Sequence, residues 1–379
     1  MKYHFFESKF GDQFCEEKTL EVKKLINSAV SFTVAGMPGV GVTNFLRYLA
    51  IRDFAHFIYI DSYLLPTLSK KEFFQALLKE LGGKNAKKDS SDLLAQCLNQ
   101  LQILTTKYPK IVLIFNRFDQ LKAEFNSEFF SNIWSLRNVS PDKISIITTA
   151  NRPISEIAPQ SLQVGHLGVF SKIVYLPHFS LSDTKTIVKV SSKYNLIADH
   201  RAVETAVNLC GGHYQLLQML LKSARLSNPL QDQFIKMQLK ELYEFVNHNQ
   251  KKILQKIAFN KPIEEVDEYL LNIGLVIKDK DGYQLFTPLL EKFIQGNIPL
   301  RLPVKEARLF KKLKQHLGQV VSKEAIFNLL WPEDSQDYDK ASEWALNSLI
   351  YRLRKNPYFI QSGYVIENHK KEGFVLIKN

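Results

Sequence analysis

Followed along the chain, apolar and polar positions fall into two regimes. In the first half, short and almost uniformly apolar runs alternate with stretches of helical spacing. The runs Val30–Ala35, Ala55–Asp61, Lys110–Phe115, Lys143–Thr149 and Ser171–Leu176 predict five strands. The third has no polar residue inside it, and strands this apolar belong in a parallel sheet covered on both faces. Between them, spacing predicts helices over Glu17–Ser28, after the first strand at Leu46, Tyr48, Leu49 and Ile51, and over Lys70–Leu81, Ser90–Lys107 and Glu124–Leu136. A turn at Gly82, Gly83, Lys84 and Asn85 separates two of these helices. The alternation predicts a doubly wound α/β domain with its ligands at the carboxyl ends of the strands.

The second half reads differently. From Ser182 to about Leu226 the pattern is all-helical, and the Asn228-Pro229 turn ends it. Helices over Asn249–Ala258 and Ile263–Leu271 precede a hairpin, Gly274–Phe286, turning at Asp281-Gly282, which describes a small winged-helix module. Pro299 and Pro303 punctuate a linker. The last segment repeats helix-then-hairpin: helices over Lys305–Leu317, Ser322–Leu330 and Lys340–Asn356, then strands near Tyr364–Glu367 and Gly373–Ile377. Gly318 is the expected C-cap of the first helix and Ser322 the N-cap of the second. The expected organisation is an α/β core (1–178), a helical lid (179–235), a first winged helix (236–298), a linker (299–303) and a second winged helix (304–379).

Composition adds a partner class. The net charge of +12 points to a polyanion, nucleic acid first and an anionic membrane surface second. No window approaches the roughly 20 apolar residues of a membrane span, and the N-terminus has no apolar core of a secretory signal. Cys15, Cys97 and Cys210 lie far apart, and the histidines are scattered likewise, so neither a disulfide framework nor a zinc site is expected. A cytoplasmic setting follows.

The candidate chemistry begins where the first strand meets its helix. Gly36, Pro38, Gly39, Val40, Gly41, Val42, Thr43 and Asn44 form a glycine-rich turn of P-loop layout, in which backbone N–H groups and a helix N-terminus converge on phosphate. The pattern asks for Gly, four residues, then Gly-Lys-Ser/Thr. Gly36, Gly41 and Thr43 fit, but Val42 holds the lysine position. Thr43 is the candidate Mg²⁺ ligand, and ATP or ADP the candidate ligand. The same glycines also suit a tight strand-to-helix turn that binds nothing.

Around this loop the chain resembles the AAA+ ATPases and their STAND relatives over roughly residues 15–298. The third strand runs into Asn116, Arg117, Phe118 and Asp119, where the resemblance implies a metal-holding Asp followed by a catalytic acid; Asn116 and Arg117 replace them, and Asp119 is the acid that remains. Thr149 and Asn151 fall in the region resembling sensor 1, which faces the terminal phosphate. Gly211, Gly212, His213 and Tyr214 resemble a Gly-Gly-His-Pro stretch that packs near the base, which makes His213 a candidate nucleotide contact. Without the lysine and the metal carboxylate, hydrolysis is expected to be weak or absent.

The segment 304–379 resembles an OmpR/PhoB-type winged helix-turn-helix throughout, from Val304 through Trp331 and Arg352 to the closing step at Gly373 and Phe374. The resemblance implies binding to double-stranded DNA. Leu346, Leu349 or Ile350, and Leu353 supply a core face, which leaves Asn347, Tyr351, Arg354 and Lys355 outward and Arg352 at the margin. Such a helix suits a major groove, and His369, Lys370 and Lys371 on the wing would approach phosphate. The excess charge here is modest, 13 Lys and Arg against nine acidic residues. The acidic loop Glu333–Asp339 would repel phosphate and suits a partner such as RNA polymerase.

The expected function is a DNA-binding transcription regulator whose degenerate ATPase-like domain controls the winged helix, with self-assembly as a means of control. The rivals are an origin-recognition-like AAA+ ATPase acting on DNA and a pseudo-ATPase scaffold that binds proteins.

Overall fold

The computed structural model describes residues 3–83, 90–192, 200–223, 226–280, 282–297, 303–333, 337–356, 358–359, 363–369 and 372–378. Lys84 and Asn85 of the expected turn, Asp281, most of the linker, part of the acidic loop, and Lys370 and Lys371 lie outside them. The chain divides into two units, Met1–Gln295 and Gly296–Asn379.

The first unit opens with a 3-10 turn, Phe6–Phe10, followed by α1 (Glu16–Asn27), β1 (Phe32–Ala35), α2 (Val42–Ala50) and β2 (His56–Asp61). Next come α3 (Lys70–Glu80), α4 (Ser90–Lys107), β3 (Ile111–Asn116), α5 (Ser127–Asn138), β4 (Ile144–Ala150), two short helices, α6 (Ile154–Ile157) and α7 (Leu167–Phe170), and β5 (Ile173–Tyr175). The five strands form one parallel sheet in the order β2-β3-β4-β1-β5. This is the expected P-loop NTPase type of core. Strands β1, β3 and β4 are buried along their whole length, as their largely apolar sequences require, and the buried hydroxyls of Thr33 and Thr148 bond to each other. An aromatic-rich cluster that includes Phe73, Phe74, Phe115, Phe118, Phe129 and Phe130 joins β2–β4 to α3–α5. Burying each such side chain contributes about 1.5–3 kcal/mol.

Helices α8 (Leu181–Ser192), α9 (His200–Cys210), α10 (Tyr214–Lys222), α11 (Gln233–Glu244), α12 (His248–Ala258) and α13 (Glu268–Asn272) follow, then the hairpin β6 (Val276–Asp279) and β7 (Gly282–Leu285), and α14 (Pro288–Asn297). Three differences from expectation have local causes. The helix expected over Ile263–Leu271 starts only at Glu268, because Asp267 has a non-helical ψ of 124° and its carboxylate caps the Tyr269 N–H. Helix α14 is unanticipated; Pro288 suits a first helical position, and the Thr287 hydroxyl accepts the Leu289 N–H. The helix expected from Glu124 likewise begins at Ser127, with Asn126 as its cap.

The second unit contains α15 (Val304–Gln315), β8 (Val321–Ser322), α16 (Lys323–Leu330), α17 (Glu343–Lys355), β9 (Tyr364–His369) and β10 (Gly373–Lys378). Its sheet runs β8-β10-β9, antiparallel throughout. Ser322 caps α16 as expected, and Ser342 caps α17, which therefore starts after Lys340. Helix α15 ends at Gln315, so Gly318 is not its immediate cap; it sits at φ +74° and donates its N–H to the Leu376 carbonyl. Among the described residues no helix is long and apolar enough to cross a membrane.

Candidate functional site

The β1–α2 turn lies against a cleft of about 500 Å³ whose walls include Gly39–Asn44, Asn116, Arg117, Asp119, Thr149, Asn151, Tyr214, Gln215 and Gln218. The N–H groups of the first turn of α2 have no partner within the helix, the general condition for an anion site. Gly39 (φ +78°) and Gly41 (φ +114°) take backbone conformations that side chains resist. Packing excludes side chains there as well. A Cβ at Gly39 would lie 2.5 Å from the Gln215 amide oxygen, and one at Gly41 2.5 Å from the Phe179 ring. Gly36 lies outside the cleft wall, crowded by the Leu176 carbonyl and the Val40 and Val42 methyls.

The other edge of the loop is held from behind. The Pro38 carbonyl accepts from His213 Nε2 at 2.8 Å and Gln238 Nε2 at 3.2 Å, the Gly39 carbonyl from the Gln215 N–H at 3.0 Å, and the Val40 carbonyl from the Tyr214 N–H at 3.4 Å. His213 is therefore not a wall of the cleft. It is fully buried beneath the loop, its Nδ1 caps α10 by accepting the Leu216 N–H, and burial pushes its pKa down to about 4. The expectation of a base contact is replaced by a structural strut.

The floor of the cleft is a hydrogen-bonded cluster at the ends of β2, β3 and β4. Asp61 and Asn116 are register partners on adjacent strands. Asn116 Nδ2 donates to Asp61 Oδ2 at 3.0 Å and to the Thr43 hydroxyl at 3.1 Å, while its Oδ1 accepts from Thr149 at 3.2 Å. Arg117 takes a left-handed backbone (φ 54°, ψ 44°) and donates its N–H to Thr149 Oγ1 at 2.6 Å. One of its guanidinium nitrogens lies 2.6 Å from both Asp61 oxygens, and its plane rests 4.3 Å from the Tyr63 ring centre. Arg47 approaches Asp61 from the α2 side at 3.8 Å. Asp119 accepts the Asn151 N–H at 3.2 Å, and burial raises its pKa.

This donor set does not fit a divalent cation. The β3 terminus offers an amide, the Thr43 hydroxyl is engaged by that amide, and Asp61 is already neutralised by arginine. The carboxylate bonded to the same Asn116 amide as Thr43 is Asp61, which arginine holds, and Asp119 on the cleft wall accepts the Asn151 N–H. Asn44, also on the cleft wall, donates to Glu7 Oε1 at 2.7 Å. Motif spacing reaches neither Asp61 on the floor nor Tyr63, Gln215 and Gln218 on the wall, and it presents Arg117 only as the replacement of an acid. A strand-terminal carboxylate at the level of Asn116 was the available signal for Asp61.

In the second unit, Leu346, Leu349, Ile350 and Leu353 pack against Leu309, Phe310, Leu313, Ile326, Phe374 and Leu376. Asn347, Tyr351, Arg352, Arg354 and Lys355 are exposed, as is Trp344 at the start of α17. The basic side chains differ in attachment. Arg352 Nε is 3.1 Å from the buried carboxylate of Glu306, Arg354 donates to the Ile366 carbonyl at 2.8 Å, and Lys355 lies 5.2 Å from the Tyr351 ring centre. Arg354 thus ties α17 to β9 before it contacts anything else. His369 is exposed at the end of β9. Gly373 is obligatory, since a Cβ there would meet the Val321 carbonyl at 1.9 Å.

Residues 297–376 match the family model described as "Transcriptional regulatory protein, C terminal". The second unit is an OmpR/PhoB-type winged helix. No curated protein matches the chain. Among solved structures, the Walker-type ATPase PABY2304 of Pyrococcus abyssi is similar at 14% identity and a TM-score of 0.48, covering 74% of this chain and 95% of that one. The Aeropyrum pernix ORC1 protein in complex with DNA is similar at 9% identity and 0.43, covering 97% and 90%. The Aeropyrum pernix ORC2 protein (ADPNP-ADP complexes) is similar at 12% and 0.45, covering 76% and 97%. At these scores the likenesses carry no functional argument.

Proposed function

We propose that the chain is a DNA-binding transcription regulator in which the α/β unit binds a nucleotide without turning it over and governs the C-terminal winged helix. The observation that carries this reading is the exposed polar and basic face of α17, Asn347 to Lys355, on a unit that matches the transcriptional-regulator family. Asn and Arg on such a face can pair with base edges in a major groove, and Lys with phosphate. The glycine turn with its cleft suits a nucleotide polyphosphate. Val42 removes a charge-assisted hydrogen bond worth about 1.5–3 kcal/mol, and Asn116 removes the metal carboxylate that phosphoryl transfer requires. The organisation proposed is core, lid, first winged helix and DNA-binding winged helix. Self-association and contact with RNA polymerase through residues 333–339 are natural means of control.

The test is selection of a duplex from a random library with the purified full chain, followed by affinity measured against salt. A specific duplex bound with a log–log salt slope of several is expected, because phosphate contacts release counterions. Failure to enrich any duplex, or salt-insensitive binding, overturns the proposal.

A further inference from the structure

We propose that the cleft takes its nucleotide free of divalent metal, with the Arg117 guanidinium supplying the positive charge that Mg²⁺ and a P-loop lysine would otherwise bring. The inference rests on the nucleotide-binding reading above and names the ionic form of the ligand.

Four observations converge. The Asp61 carboxylate, 1% exposed, is the acid nearest the β3 terminus, and one Arg117 nitrogen sits 2.6 Å from each of its oxygens. A cation entering there would have to displace a guanidinium from a buried carboxylate, leaving an uncompensated arginine beside it. Asn116 meanwhile fills its own hydrogen-bonding capacity with Asp61, Thr43 and Thr149, and as a neutral amide it is a poor partner for Mg²⁺. Second, Arg117 is not a passive surface residue. Its side chain is 31% exposed and it lines the cleft together with Gly39–Thr43. Third, its backbone is held in the left-handed region, at a cost of order 1–2 kcal/mol for a residue with a Cβ, by the 2.6 Å bond from its N–H to Thr149. That conformation turns the side chain back over the strand ends. Fourth, the fork is pre-set. Tyr63 supports one face at 4.3 Å, Asp61 engages a single nitrogen, and the remaining guanidinium N–H groups have no acceptor among the described residues. A planar cation held in this way matches phosphate oxygens in a two-pronged arrangement that a lysine cannot reproduce.

The test is titration calorimetry of the full chain, after removal of co-purified nucleotide, with ATP, ADP and inorganic tripolyphosphate in EDTA and again in Mg²⁺. Binding in EDTA at least as tight as in Mg²⁺ is expected, with tripolyphosphate retained as a weaker ligand. Arg117→Ala should weaken binding about 10- to 100-fold, the scale of one charge-assisted pair, and Arg117→Lys should recover only part. Because Arg117→Ala strands a buried carboxylate, the double variant Asp61→Asn/Arg117→Ala is measured beside it and should lose the same affinity while folding normally. Asp61→Asn alone, which keeps the Arg117 cation but loosens its anchor, should weaken binding less than Arg117→Ala does. Nucleotide binding that requires Mg²⁺ overturns this inference and leaves nucleotide binding standing; no binding under either condition overturns both. Native affinity in the double variant would show that the Arg117–Asp61 pair only braces the fold.

Discussion

His213 lets the packing behind the loop be tested through pH. The imidazole is fully buried, with Nε2 on the Pro38 carbonyl and Nδ1 accepting the Leu216 N–H, so protonation would break the α10 cap and bury a charge. Burial lowers its pKa from 6.5 to about 4. A depressed folded-state pKa means that the unfolded chain binds the proton first. The stability held by the neutral ring is therefore fully present above pH 6.5 and drains away as pH falls toward 4. At 1.36 kcal/mol per unit, moving from pH 7.5 to pH 5.0 costs about 2 kcal/mol through this one group. The assay is urea unfolding of the first unit, followed by Trp134 in a background where Trp331 and Trp344 are phenylalanine. Native His213 is compared with His213→Asn, which can still cap but cannot titrate. Comparing the two cancels all other titrating groups. The variant should be less stable at pH 7.5 yet lose about 2 kcal/mol less on acidification. Equal losses, within about 0.5 kcal/mol, would refute the reasoning, since mutational effects at independent sites add to that tolerance.

Three further outcomes are expected. Gly373→Ala forces a Cβ against the Val321 carbonyl and should lower the stability of the C-terminal unit by about 2–3 kcal/mol in thermal unfolding. Lys355→Ala should weaken DNA binding and lower the salt slope by about one without changing stability, whereas Arg354→Ala, which also frees the Ile366 carbonyl, should lower both. Val42→Lys should not restore measurable phosphate release, because Asn116 and the arginine-bound Asp61 leave the transition state without a metal.

The fold was legible wherever burial imposed a period. Strands β1 to β5 emerge from runs such as Ile111–Phe115, because a strand covered on both faces is mostly apolar, and the few hydroxyls it holds, such as Thr33 and Thr148, bond to each other. The cap of α16 follows from Ser322, but the starts of α17 and α13 do not, since the Ser342 and Asp267 caps lie inside stretches whose apolar spacing extends the helix further back. The site was half legible. Glycines 39 and 41 announce the turn. The Asp61–Arg117 pair depends on which strands are neighbours and where each ends, and linear spacing carries neither. For the same reason Arg354 looked like a groove contact, although it is first a brace across to β9.

The loop between β1 and α2 has two chemical edges. Its carbonyls at Pro38, Gly39 and Val40 belong to residues 213–238, and its glycines fit against Gln215 and Phe179. That packing does not involve the side chains at positions 42 and 116, so the shape of the turn is set separately from the charge that its cleft presents.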